Sequence, residues 1–113
     1  MMIDDYRFGR IQVGGRTCTS DVIVYPDHVA DGWRRQTGHG LCMDDLRDVV
    51  AAKPEVLIVG TGAYGAVKVP DDVREQLSAL GIELRVAETA AACKMYNELA
   101  PQTHGIAALH LTC

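Results

Sequence analysis

Two stretches of this chain combine residue types able to do chemistry. The first is Trp33-Arg34-Arg35-Gln36-Thr37-Gly38-His39, which gathers an indole, two guanidiniums and an imidazole. Arginine forks suit carboxylate or phosphate. The second is Gly60-x-Gly62-x-x-Gly65, which follows the apolar run Val56-Leu57-Ile58-Val59 and has the spacing of a dinucleotide fingerprint. Glu83 or Glu88 lies at about the distance of the acid such a site requires. That fingerprint also needs a helix beginning within the glycines, because the helix N-terminus holds the pyrophosphate. Here Ala66-Val67-Lys68-Val69-Pro70 intervenes, so a tight turn packing backbone against backbone is the preferred reading. If the two stretches meet, Trp33, Arg34, Arg35 and His39 would face the amides of Gly60, Thr61 and Gly62 and form an anion pocket. The competing and preferred account makes Trp33 a core anchor. Arg34 and Arg35 then cover its flank or pair with some of the 15 acids.

Three further residues could serve such a pocket. Cys93 lies in the first turns of a predicted helix, where the positive helix end can lower a thiol pKa. With His39 or His110 nearby it could act as a nucleophile. It also shares a face with Tyr96 and Leu99, and a buried apolar thiol is the favoured account. Asn97 sits where asparagine is mildly unfavourable, so it is read as supporting a neighbouring loop such as Gly60–Gly62 or as one wall of the pocket. His110 alternates with Leu109 and Leu111 and is read as a hydrogen-bonded structural histidine. No Cys-x-x-Cys pair signals zinc or a thioredoxin motif, and neither metal nor cofactor is expected.

These residues have to be positioned by the elements around them. Arg7–Val13 largely alternates and reads as a half-buried strand. Gly14-Gly15 marks a hairpin turn, and Thr17–Tyr25 reads as the return strand, ended by Pro26-Asp27. A short strand follows within residues 29–34, and residues 36–40 are a loop. A first helix is predicted over Asp45–Lys53 with Asp44 as its N-cap. Glu55–Val59 follows as a strand buried on both faces. Asp71–Leu80 reads as a helix with acids at its positive end and Gly81 as its cap. Ile82–Val86 is a strand, Ala90–Leu99 a helix capped by Thr89, and Ile106–Thr112 the last strand. Strands separated by helices imply right-handed crossovers. The expected fold is therefore α/β, one domain over residues 1–113. A central mixed, mostly parallel sheet carries helices on one side, with an additional sheet from the N-terminal β-hairpin.

Composition narrows the function. With 113 residues, 48% hydrophobic and 23% charged, the chain can bury a core without metal or disulfide. A net charge of −4 argues against nucleic acid, which needs a basic face. The first residues lack the basic end and apolar core of a signal peptide, and no stretch is long enough to cross a bilayer. Four reduced thiols in a cytoplasmic protein are expected.

Several spaced motifs carry a resemblance over nearly the whole chain. They are Phe8-Gly9-x-Ile11, Asp21-Val22-Ile23-Val24, Trp33-Arg34-Arg35-x-x-Gly38-His39, Pro54 to Gly62, Ala92-Cys93-x-x-Tyr96-Asn97-x-Leu99 and Ala107 to Cys113. The chain resembles a small α/β family of unknown biochemical activity. That family includes the adipogenesis-associated domain protein and a related mitochondrial complex I assembly factor. The resemblance implies a central mixed sheet with helices on one side and extra strands on the other. It implies roles in assembly of a respiratory complex or in cytoplasmic regulation, and it brings no catalytic residues.

Two functions follow as expectations. The favoured one is a non-enzymatic binding or assembly module that docks another protein. The alternative is a binder of small anions, or an enzyme, using the pocket between the Trp33–His39 loop and the Gly60–Gly65 turn.

Overall fold

A computed structural model describes residues 1–37 and 39–113; Gly38 of the predicted loop lies outside them. Three antiparallel strands, β1 (Ile3–Arg7), β2 (Arg10–Val13) and β3 (Arg16–Cys18), form a small sheet. Gly14 and Gly15 both take positive φ, 56° and 82°, as a two-residue hairpin turn matched to strand twist requires. The expected single strand over Arg7–Val13 is instead a hairpin tip. Gly9, at φ 75°, turns the chain between β1 and β2, and the apolar alternation runs on through that turn.

The central sheet has five strands in the order β5 (Val29–Asp31), β4 (Val22–Val24), β8 (Gly105–Leu109), β6 (Val56–Gly60) and β7 (Glu83–Ala87). Strands β8, β6 and β7 are parallel, while β4 runs antiparallel to both of its neighbours, β8 and β5. The predicted strand Thr17–Tyr25 is thus two strands in two different sheets. Residues 19–21 carry the chain from one layer to the other, and the Gly32 amide donates to the Ser20 hydroxyl there. The last strand ends at Leu109 rather than Thr112, because residues 110–113 leave the ladder for the bonds described below.

Helices α1 (Arg47–Ala51) and α2 (Asp71–Ala79) cover one face, packing Leu46, Val49, Val73 and Leu77 against Leu57, Val59, Ile106 and Ala108. The third helix, α3 (Thr89–Leu99), lies on the opposite face. There Ala92, Cys93 and Tyr96 share a core with Ile3, Ile11 and Val13 of the small sheet and with Ile58, Ala107 and Leu109. The helices therefore do not all sit on one side. The chain steps from β6 to β7 in one direction, then back past β6 to β8. Right-handed crossovers in opposite directions place their helices on opposite faces. Fully burying a residue such as Leu57 or Ile58, both 0% exposed, stabilises by roughly 1.5–3 kcal/mol each.

The first helix also begins differently. A 3₁₀ turn, Met43–Leu46, precedes α1. Asp45, not Asp44, accepts from the backbone, taking the amides of Gln36 and Cys42, while Asp44 accepts from the Gln36 side chain. No helix among the described residues is long and apolar enough to cross a membrane.

Candidate functional site

The carboxyl ends of β6 and β8 form the region where the two chemically loaded stretches approach each other. Such ends are where ligands bind in open α/β sheets. The His39 carbonyl accepts from the Lys68 amide at 2.9 Å, and the His39 ring meets that of His110 edge-on at 5.9 Å. The His110 amide in turn donates to the Gly60 carbonyl at 3.0 Å. The two stretches approach each other through Lys68 and His110.

Asp21 is the hub. Its Oδ2 lies 2.8 Å from Arg35 Nη1 and 2.7 Å from His110 Nδ1, and its Oδ1 accepts from the Leu111 amide at 2.9 Å. The Arg35 and His110 side chains are only 6% and 9% exposed. Burial alone raises the carboxyl pKa of Asp21. Hydrogen bonds from His110, the Leu111 amide and Arg35 outweigh that effect and hold it below the usual value. In the Nδ1–H tautomer His110 donates to the Asp21 carboxylate across the 2.7 Å contact. Nε2 is then left to accept from the Thr112 hydroxyl at 3.3 Å. Arg35 Nη2, 3.0 Å from the same Nδ1, then makes a close approach rather than a second hydrogen bond. Its guanidinium also lies over the Trp33 ring, 5.0 Å from the centroid.

The glycine turn is equally occupied. The amides of Thr61, Ala63, Gly65, Ala66 and Val67 donate to the carbonyls of Ala87, Thr112, Gly62, Cys113 and Thr61. Gly62 donates to the Thr89 hydroxyl, which itself donates to the His110 carbonyl at 2.6 Å. A phosphate cradle needs several free amides pointing at one spot; here those amides are bonded within the protein, with Ala63 and Ala66 holding Thr112 and Cys113. A Cβ on Gly62 would collide with the Cys113 backbone. The glycine therefore serves close backbone approach. The Thr61 hydroxyl is buried and donates to the Ala87 carbonyl.

The remaining residues singled out from sequence lie elsewhere. Trp33 packs beside the core around Leu46 and donates its indole N–H to the Asp45 carbonyl. Trp33, Arg34 and Arg35 line a cavity of about 460 Å³ against the Asp44–Asp48 segment, away from the glycine turn. Cys93 and Asn97 border a separate hollow of about 270 Å³ beside β1. Burial pushes the Cys93 thiol up to about 12, which removes the thiolate a nucleophile needs. Asn97 does not reach the Gly60–Gly62 loop. Its side-chain amide accepts from the Ile3 N–H at 2.9 Å and donates to the Ile3 carbonyl at 2.8 Å, as a neighbouring strand would. Asp21, which binds three of the groups at this end, went unused as a site residue. Its signal is a lone carboxylate at the start of the apolar run Val22-Ile23-Val24, where a buried charge must find partners.

A family model described as a protein of unknown function (DUF498/DUF598) matches residues 3–111. Solved structures share the fold over the whole chain. The conserved hypothetical protein PH1505 from Pyrococcus horikoshii OT3 is 27% identical with a TM-score of 0.87, covering 100% of both chains. The protein MT938 is 29% identical with a TM-score of 0.83, covering 99% of this chain and 98% of the other. Rpa2829 from Rhodopseudomonas palustris is 28% identical with a TM-score of 0.75, covering 96% and 81%.

Proposed function

This chain belongs to the DUF498/DUF598 family of unknown function, and from the geometry we infer that it is a non-enzymatic protein-binding module, similar in role to an assembly factor. One observation carries the reading: the buried ionisable groups at the sheet's carboxyl ends, Asp21, Arg35 and His110, are spent on each other. They close a buried network, and the Ala63 and Ala66 amides hold Thr112 and Cys113. What remains for recognition is outer surface. The resemblance to assembly and regulatory proteins points the same way. The four cysteines are free thiols, which supports a cytoplasmic setting.

A second reading rests on the 460 Å³ cavity, where exposed Arg34 and Arg47 line the space with Trp33, alongside Asp31, Asp44, Asp45 and Asp48. A small carboxylate or phosphate ligand would sit there rather than at the glycine turn. One pair of measurements separates the two. Affinity capture with the full chain is expected to recover a stoichiometric protein partner, while citrate and phosphate leave the unfolding midpoint unchanged. Absence of any partner, with a rise in midpoint of several degrees that Arg34→Ala removes, would reverse the conclusion, since a ligand of the native state raises its stability.

A further inference from the structure

Phe8 and Tyr64 are 56% and 77% exposed, the most exposed large apolar side chains among the described residues. They come from distant parts of the chain, the β1–β2 hairpin tip and the glycine turn, yet their rings lie 6.1 Å apart at a tilt of 42°. Both are held from behind. The Gly9 amide donates to the Leu111 carbonyl, and the Ala63 and Ala66 amides donate to Thr112 and Cys113. An aromatic pair so fixed loses little freedom when a partner covers it.

The charges around the pair depart from those of the whole molecule. Arg7 and Arg10 flank Phe8 and face each other across the hairpin. Like charges directly opposite cost stability in a strand pair, and an anionic partner relieves that cost. Arg7 has one neighbour of opposite sign, Asp5 at 3.3 Å. On the Tyr64 side Lys68 reaches the Gly65 carbonyl at 3.4 Å, and Glu88 lies beside Gly65 as the local acid. Among side chains, three cations, Arg7, Arg10 and Lys68, stand against two acids, Asp5 and Glu88, around the pair, on a chain of net charge −4.

We propose that the hairpin tip Arg7–Arg10 and the Tyr64–Lys68 loop form one docking surface for an acidic segment of a partner protein that carries apolar side chains. The apolar groups cover the Phe8–Tyr64 pair, and the carboxylates meet Arg7, Arg10 and Lys68. The proposal rests on the protein-binding reading and adds the place and the partner's chemistry. Interface energy concentrates on such aromatic and arginine anchors.

The test uses three labelled probes with the full chain: a short peptide alternating Glu and Phe, its counterpart alternating Lys and Phe, and an oligothymidylate. Fluorescence anisotropy is expected to show binding of the acidic peptide that weakens with salt. Amide resonances of residues 7–10 and 64–68 should shift in the wild-type chain. Replacing Phe8 and Tyr64 together by Ala should weaken binding about tenfold or more. Arg10→Glu with Lys68→Glu should remove most of the salt dependence. Equal or better binding of the lysine peptide or the oligonucleotide overturns the proposal. So do resonance shifts confined to another surface, or self-association that Phe8→Ala abolishes. If the wild type and the Phe8→Ala/Tyr64→Ala chain capture the same partner equally from lysate, the surface is wrong and the protein-binding reading stands. If neither captures any partner, that reading itself fails.

Discussion

Asp21 joins three parts of the chain through one carboxylate: Arg35 from the loop, His110 from the end of β8, and the Leu111 backbone. Asp21→Ala removes the acceptor shared by a buried guanidinium and a buried amide, and is expected to cost about 3 kcal/mol in urea unfolding. Because its folded pKa lies below the unfolded one, Asp21 contributes stability that is present above roughly pH 4 and lost as pH falls through the folded value. Asp21→Asn should flatten the stability profile below pH 4; a profile as steep as wild type would show that another group carries it. Cys93 supports a second expectation. Alkylation of the native protein at pH 8 should mark exposed Cys113 and leave Cys93 unmodified, read by peptide mass. At this scale the sequence was an uneven guide. Residue types showed that Arg35 and His110 need partners. Nothing local could show that Asp21, 14 and 89 positions away from them, supplies both.

The elements are tied by backbone contacts that particular side chains either permit or imitate. Asn97 is the imitation: its amide occupies the edge of β1 at Ile3 and fastens that edge to α3. Asn97→Ala should cost about 1–3 kcal/mol, with faster hydrogen exchange at the β1 amides and little change in β6. The glycines differ among themselves although they look alike in sequence. A side chain at Gly62, φ 104°, meets the Cys113 carbonyl oxygen at 2.6 Å and the Thr112 oxygen at 2.8 Å. At Gly65, φ 72°, the nearest atom is 3.6 Å away. Gly65→Ala should therefore cost about 1 kcal/mol, the left-handed backbone penalty alone. Gly62→Ala should cost about 3 kcal/mol or more, because main chain must move. Near-equal effects of the two in chemical denaturation would refute the close-approach account. The sequence showed a turn here, since glycine after a buried strand has that meaning, but not which chain presses on it. That depends on residues 110–113, of which 110–112 read as simply more strand.

Across the whole molecule, the α/β class, the helix–strand succession and the Gly14-Gly15 hairpin were legible because periodicity and turn residues are local signals. The partition of strands between two sheets was not. Polar Arg16–Cys18 and apolar Val22–Val24 differ in composition, but nothing local says that they pair in different sheets. The placement of α3 opposite α2 follows from strand order, which local residues do not encode. Both faces are packed, so a truncation on either should be felt. Leu77→Ala and Ile58→Ala are each expected to cost about 2–5 kcal/mol in denaturant unfolding.

The strand order also bears on how the chain is made. Strand β8 lies between β4 and β6, and its partner in β4 leaves the ribosome 87 residues earlier, counting Val22 to Leu109. During synthesis β4 can pair with β5, and β6 with β7, but these halves stay apart with a vacant slot between them. Until β8 is in place, the borders of β4 and β6 that face each other lack their common partner. Pairing of β8 with β4 on one side and β6 on the other joins the two halves of the sheet.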